Sequence, residues 1–163
     1  MHRICLAIAL AAMATAAMAQ ATGWMIQDKV SPLDGAKSYM AAVQSNEMLT
    51  DRWGHPLKAT VGFICNSQGL SAAVVLPDFV ESHMGLLDVA WKVDDGAVQQ
   101  ERWGATKLGG VVQGQVALTM LRTWSSAKRL VMRVQDRHGI EDVTFDIGGA
   151  NVVYDTIASR GCG

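Results

Sequence analysis

Apolar residues recur at every second position in short runs, and this period limits what the chain can become more than any other feature. Val61, Phe63 and Cys65 alternate with their neighbours, and so do Val89, Trp91 and Val93. Leu130, Met132 and Val134 repeat the pattern, followed by Val143, Phe145 and Ile147. A period of two places one set of side chains on one face of a β-strand. Strands are therefore expected over 24–30, 37–45, 59–66, 70–76, 87–93, 98–103, 129–135 and 141–147. Turn formers punctuate them. Ser31-Pro32-Leu33-Asp34-Gly35 is one such turn, with Pro presetting φ and Gly tolerating a positive φ. Asp94-Asp95-Gly96 is a hairpin signal.

Four stretches depart from the pattern. Residues 46–58 carry Asn46, Asp51, Gly54 and Pro56 and are expected to form a loop. Residues 104–114 are rich in glycine and are expected to be irregular or edge-like. Residues 116–123 are too short for periodicity to separate strand from helix. Residues 150–160 place Val153, Tyr154, Ile157 and Ala158 at helical spacing, with Gly161 as a natural stop. The expected architecture is a mainly β, single-domain antiparallel sandwich or roll with a C-terminal α-helix.

The N-terminus carries a different signal. His2 and Arg3 precede the apolar run 4–12, and Ala17-Met18-Ala19 supplies small residues at the −3 and −1 positions. This is the pattern of a secretory signal peptide over 1–19, cleaved before Gln20. The apolar run is shorter than the roughly 20 residues that span a bilayer. No membrane span is expected after cleavage, and residues 20–163 form one periplasmic or secreted domain. Of the three cysteines, Cys5 leaves with the leader, so Cys65 and Cys162 form an even pair in an oxidising compartment and are expected to bond.

Composition excludes some partners. Without Arg3, 13 basic residues face 15 acidic ones, a net charge of −2. The chain has no basic run or basic amphipathic helix, so nucleic acid is not an expected partner and neither is a membrane surface. Catalytic constellations are also missing from the sequence. His55, His83 and His138 sit in expected loops or turns and share no ligand spacing. No Gly-x-Ser-x-Gly elbow surrounds Ser71, Ser82 or Ser125. Asp88 and Glu101 are a candidate carboxylate pair across neighbouring strands, though such residues are ordinarily just solvated. Gly109-Gly110 and Gly148-Gly149 lack the residues of a phosphate-binding loop. No cofactor or metal is expected. Among five tryptophans, Trp91 belongs to an inward face. Trp53 stands in a polar loop, either exposed as a recognition residue or folded back on the core.

Several segments together resemble the VasI-type accessory family of bacterial type VI secretion systems. These are Trp24, Ser-Pro-Leu-Asp-Gly at 31–35, Ala-Val-Gln-Ser at 42–45, His-Pro-Leu at 55–57 and Phe-Ile-Cys at 63–65. Trp-Lys-Val-Asp-Asp-Gly at 91–96, Trp103, Leu-Val-Met-Arg-Val at 130–134 and Thr-Phe-Asp-Ile-Gly-Gly at 144–149 continue the match, ahead of Cys162. The chain departs from the family at Ile64, at Lys92 and at its Cys162-Gly163 end. The resemblance implies membership or a looser exported relationship, supports the Cys65–Cys162 pair and brings no catalytic residue. The expected function is a non-enzymatic accessory or binding protein with a protein partner in the cell envelope, Trp53 being the candidate binding residue. The alternatives are a periplasmic inhibitor of a cell-wall lytic enzyme and an envelope hydrolase using His55 or His83.

Overall fold

A computed structural model of the chain describes residues 23–137 and 139–162. The leader expected over 1–19 and His138 lie outside these residues. The alternating runs form strands β1 (Met25–Val30), β2 (Lys37–Gln44), β5 (Thr60–Asn66), β6 (Gly69–Val75), β7 (Leu86–Val93), β8 (Gln99–Thr106), β10 (Arg129–Gln135) and β11 (Ile140–Asp146). Together with β9 (Gly109–Gln113) they make one nine-stranded antiparallel sheet in the order β1-β2-β5-β6-β9-β8-β7-β10-β11. Two helices complete the fold among the described residues: α1 (Gln115–Trp124) and α2 (Ala150–Ser159).

The sheet is an open roll, not two stacked sheets. Ser45, just past β2, forms a single bridge with Phe145 of β11. The Asn46 amide donates to the Thr144 carbonyl at 2.8 Å, and the Thr144 amide donates to the Glu47 carboxylate at 2.9 Å. Strands far apart in the sheet order are thus stitched together. The residues named from the alternation face inward: Val61, Phe63 and Cys65, then Val89 and Trp91, then Leu130, Met132 and Val134 are all buried. α1 lies on this inner face against β6 and β9 and carries Trp124 between Phe63 and Trp91, with ring centroids 5.0 and 6.1 Å away. Each fully buried large apolar side chain contributes about 1.5–3 kcal/mol.

Residues 116–123 are helical. The deciding positions, Ala117, Met120, Leu121 and Trp124, are buried at i, i+3, i+4 and i+7, a stripe visible only over a longer window. Residues 104–114 do not behave as expected, for β9 is interior and pairs with β6 on one side and β8 on the other. Glycine is required there by close approach. A Cβ at Gly109 would run into the Val74 carbonyl, and Gly110 makes room for Trp103. Gly62 plays the same part between β5 and β2, where a Cβ would run into the Ala41 carbonyl and Ala42. Residues 46–58 contain a small hairpin, β3 (Leu49–Thr50) and β4 (Pro56–Leu57), that sequence periodicity does not reveal.

At the C-terminus the Gly161 amide donates to the Ala158 carbonyl and ends α2. Cys162 then bonds Cys65 of β5, with Cα atoms 5.8 Å apart and a sequence separation of 97. The pair expected from cysteine count is formed, and it fits an oxidising, extracytoplasmic compartment.

Candidate functional site

The β3–β4 hairpin is built around one carboxylate. Asp51 is 8% exposed. Its Oδ1 accepts the Trp53 amide at 2.9 Å and the His55 amide at 2.8 Å, while its Oδ2 lies 3.0 Å from His55 Nδ1. The Asp51 amide donates to the His55 carbonyl, and Gly54 closes the turn at φ +83°. Burial alone would raise the Asp51 carboxyl. The hydrogen bonds from His55 and Trp53 outweigh it and hold the group below its usual range.

With Asp51 turned inward, Arg52 and Trp53 are thrown outward. Trp53 is 66% exposed, which settles its two sequence readings in favour of exposure. Arg52 Nε donates to Asp78 Oδ1 at 2.7 Å, and its guanidinium lies 5.7 Å from the Trp53 ring centroid and 4.7 Å from that of Phe79. Lys107 Nζ lies 4.7 Å from the same Phe79 ring. The result is a surface ladder of alternating rings and cations: Trp53, Arg52, Phe79, Lys107. Exposed cation–π contacts are worth about 0.5–1 kcal/mol each, so the ladder positions its members more than it stabilises the fold. Asp78 also accepts the Phe79 amide at 2.7 Å. Burial pushes the Asp78 carboxyl up, but Arg52 and this amide hold it below the ordinary value.

Beside the ladder opens a cleft of about 600 Å³, between β3, segment 76–81 and the β10–β11 turn. That volume lies in the range of ligand clefts, about 300–1,000 Å³. Leu49, Leu76, Val80 and Val134 give it an apolar lining. Asp78, Glu81, Asp136 and Glu141 line it together with Arg52. Asp136 ties two walls together, accepting the Glu81 amide at 3.2 Å and the Gly139 amide at 2.9 Å.

The other sequence candidates are scattered. His83 forms an isolated bridge with Leu86 and lies 3.4 Å from an Arg137 guanidinium nitrogen, away from any pairing with His55. Asp88 and Glu101 do not face each other. Asp88 is opposite Arg102, 3.4 Å away, whereas Glu101 is opposite Val89 and accepts Trp103 Nε1 at 3.1 Å. Adjacent register positions fall on opposite faces of the sheet, so the carboxylates diverge. Among the described residues no three His, Cys, Asp or Glu side chains converge as a metal site. His55 acts on Asp51 as a brace, and among the described residues its other ring nitrogen has no hydroxyl or thiol hydrogen bond.

Sequence reasoning found Trp53 but missed Arg52, Phe79, Lys107 and the cleft. Part of the signal was present: Asp51 followed by Trp53, Gly54 and His55 is the spacing of an Asp-capped turn. Phe79 and Lys107 lie 26 and 54 residues from Trp53 and carry no local mark. Comparison with protein-family models, with curated proteins and with solved structures gives no match.

Proposed function

We propose that this chain is a non-enzymatic binding protein of the bacterial envelope, exported and active in the oxidised form, that engages a protein partner through the Trp53 hairpin and the adjoining cleft. One observation carries the reading. A large aromatic side chain is held 66% exposed on a turn that a buried carboxylate braces with three contacts. Exposing a tryptophan forgoes the burial that would stabilise the fold, and tryptophan and arginine are both enriched among the residues that carry interface binding energy. The segments that resemble the VasI-type family are what suggest type VI secretion as the setting of this reading. The test is an affinity pull-down of the mature, oxidised protein from its own envelope fraction. Secretion-machine components that Trp53→Ala no longer retains are the expected result, and an eluate unchanged by that substitution would sink the proposal.

A second reading has its own support. The hairpin projects from a domain closed by a disulfide, and such rigid presentation lowers the entropic cost of binding. An inhibitor of a cell-wall lytic enzyme would use it in the same way. Dose-dependent loss of lysozyme activity on titration would favour this reading over the first.

A further inference from the structure

We infer that the outer face of β1, β2, β5, β6 and β9 is a self-association surface, on which a second copy of this chain packs about a two-fold axis. The inference goes beyond the binding reading above and does not depend on it.

Strand register divides the outer surface of the roll into two unlike halves. Alternate residues of each strand fill the core, so their neighbours point outward. On β7, β8, β10 and β11 many outward residues are charged. Asp88 is opposite Arg102 at 3.4 Å, Arg133 grips Asp142 at 2.6 Å, and Lys92 and Arg129 add two more cations. On β1, β2, β5, β6 and β9 the outward residues are uncharged, with the single exception of Lys29. Lys29 stands on the edge strand, away from the centre of this half. The centre is apolar: Met40 is opposite Ile64 and Ala73 is opposite Val111, with Met25 and Val75 beside them. Among the described residues nothing covers it fully, for Met25, Met40 and Val75 stay 48%, 37% and 43% exposed. Gln44, Asn66 and Gln113 end their strands and set uncharged amides at its rim. An apolar centre depleted of charge inside a polar rim is the anatomy of a homodimer interface.

The lack of charge and the size of the face both point to a second copy as its occupant. Charge complementarity is what selects one foreign partner over another, and this face has almost none to offer. A second copy brings the same uncharged surface, so neither side buries an unpaired charge. Five strands about 4.8 Å apart, each up to seven or eight residues long at about 3.3 Å per residue, give a footprint of roughly 24 by 23 Å. Two such faces packed together remove on the order of 1,100 Å² from water, which just reaches the roughly 1,000 Å² of a specific interface.

The test is sedimentation equilibrium of the mature, oxidised protein. A reversible monomer–dimer equilibrium with a Kd in the micromolar range is expected. Met40→Lys and Val75→Lys each place an unpaired charge in the interface and should weaken the dimer by about tenfold or more. Gln100→Lys, on the charged half of the outer surface, and Trp53→Ala should dimerise like wild type. Both lysine substitutions fall on residues that are exposed in the monomer, so dilute samples should melt as wild type does. Methyl NMR of the unaltered protein reads the same face. The Met25 and Met40 signals should move with concentration, while Met84, 86% exposed ahead of β7, should not.

A protein that stays monomeric at millimolar concentration would overturn the inference. So would a dimer that tolerates both Met40→Lys and Val75→Lys, or one that Gln100→Lys weakens equally. A dimer lost in Trp53→Ala would move self-association to the hairpin and also end the proposal.

Discussion

Asp51 shows how much of this surface one side chain organises. Its two oxygens receive the Trp53 and His55 amides and the His55 ring, so a short segment with a two-residue ladder on each side holds one conformation. Replacing it with alanine leaves those donors without their acceptor and frees the turn. Asp51→Ala is expected to leave the domain folded, to broaden the amide NMR signals of 51–55 and to abolish partner retention as fully as Trp53→Ala. Sharp, unshifted signals for Trp53 and His55 in that variant would contradict this account. Asp51→Asn keeps one acceptor oxygen and should fall between the two.

At the scale of elements, glycines decide how closely neighbouring strands approach. Gly62 and Gly109 lie in strands, where glycine ordinarily weakens pairing, yet here each lets a neighbouring backbone come closer than a Cβ allows. Gly62→Ala and Gly109→Ala should each destabilise the domain by about 1–3 kcal/mol, the usual cost of forcing atoms into a packed site. Gly104→Ala is the control. Its added carbon would meet the Val111 carbonyl at 3.5 Å, an ordinary contact, so its urea midpoint should stay near wild type. Equal midpoints for all three variants would refute the close-approach explanation. α1 makes a related point: it crosses the inner face between β9 and β10, and its Trp124 joins the two halves of the roll.

For the whole molecule, two constraints act over long range. The Cys65–Cys162 bond closes a loop of 97 residues and is worth about 4–5 kcal/mol in the chain-entropy account. Reduction should therefore lower the melting temperature by roughly 10–20 °C, and a melt unaffected by reductant would contradict that. Carboxylates set the acid limit. Burial alone would raise the carboxyls of Glu47, Asp51 and Asp78, but hydrogen bonds from Thr144, from His55 and from Arg52 respectively hold them low. The Arg133 hydrogen bonds lower Asp142 in the same way. Because these groups titrate lower in the folded chain, the unfolded chain binds more protons as the pH falls. Their contribution is complete above the unfolded value of about 4 and is lost as the pH drops through the lower folded values. Urea unfolding at descending pH should show stability falling below about pH 4, whereas a flat profile into stronger acid would exclude this linkage.

The sequence by itself determined the strands of the large sheet other than β9, the inward sets on β5, β7, β10 and β11, the terminal helix and the cysteine pair. Those properties are local, or follow from counting: side-chain period, turn chemistry and an even number of thiols. The tertiary structure decided the rest. Gly109 reads as a strand breaker until its neighbour Val74 is seen to need the space. Trp53 reads either way until Asp51 is seen to turn inward and drive it out. Phe79 and Lys107 acquire a meaning only when the fold stacks them beside Arg52 of the distant hairpin. No period or motif marks such residues, because what unites them is position across the sheet and not separation along the chain.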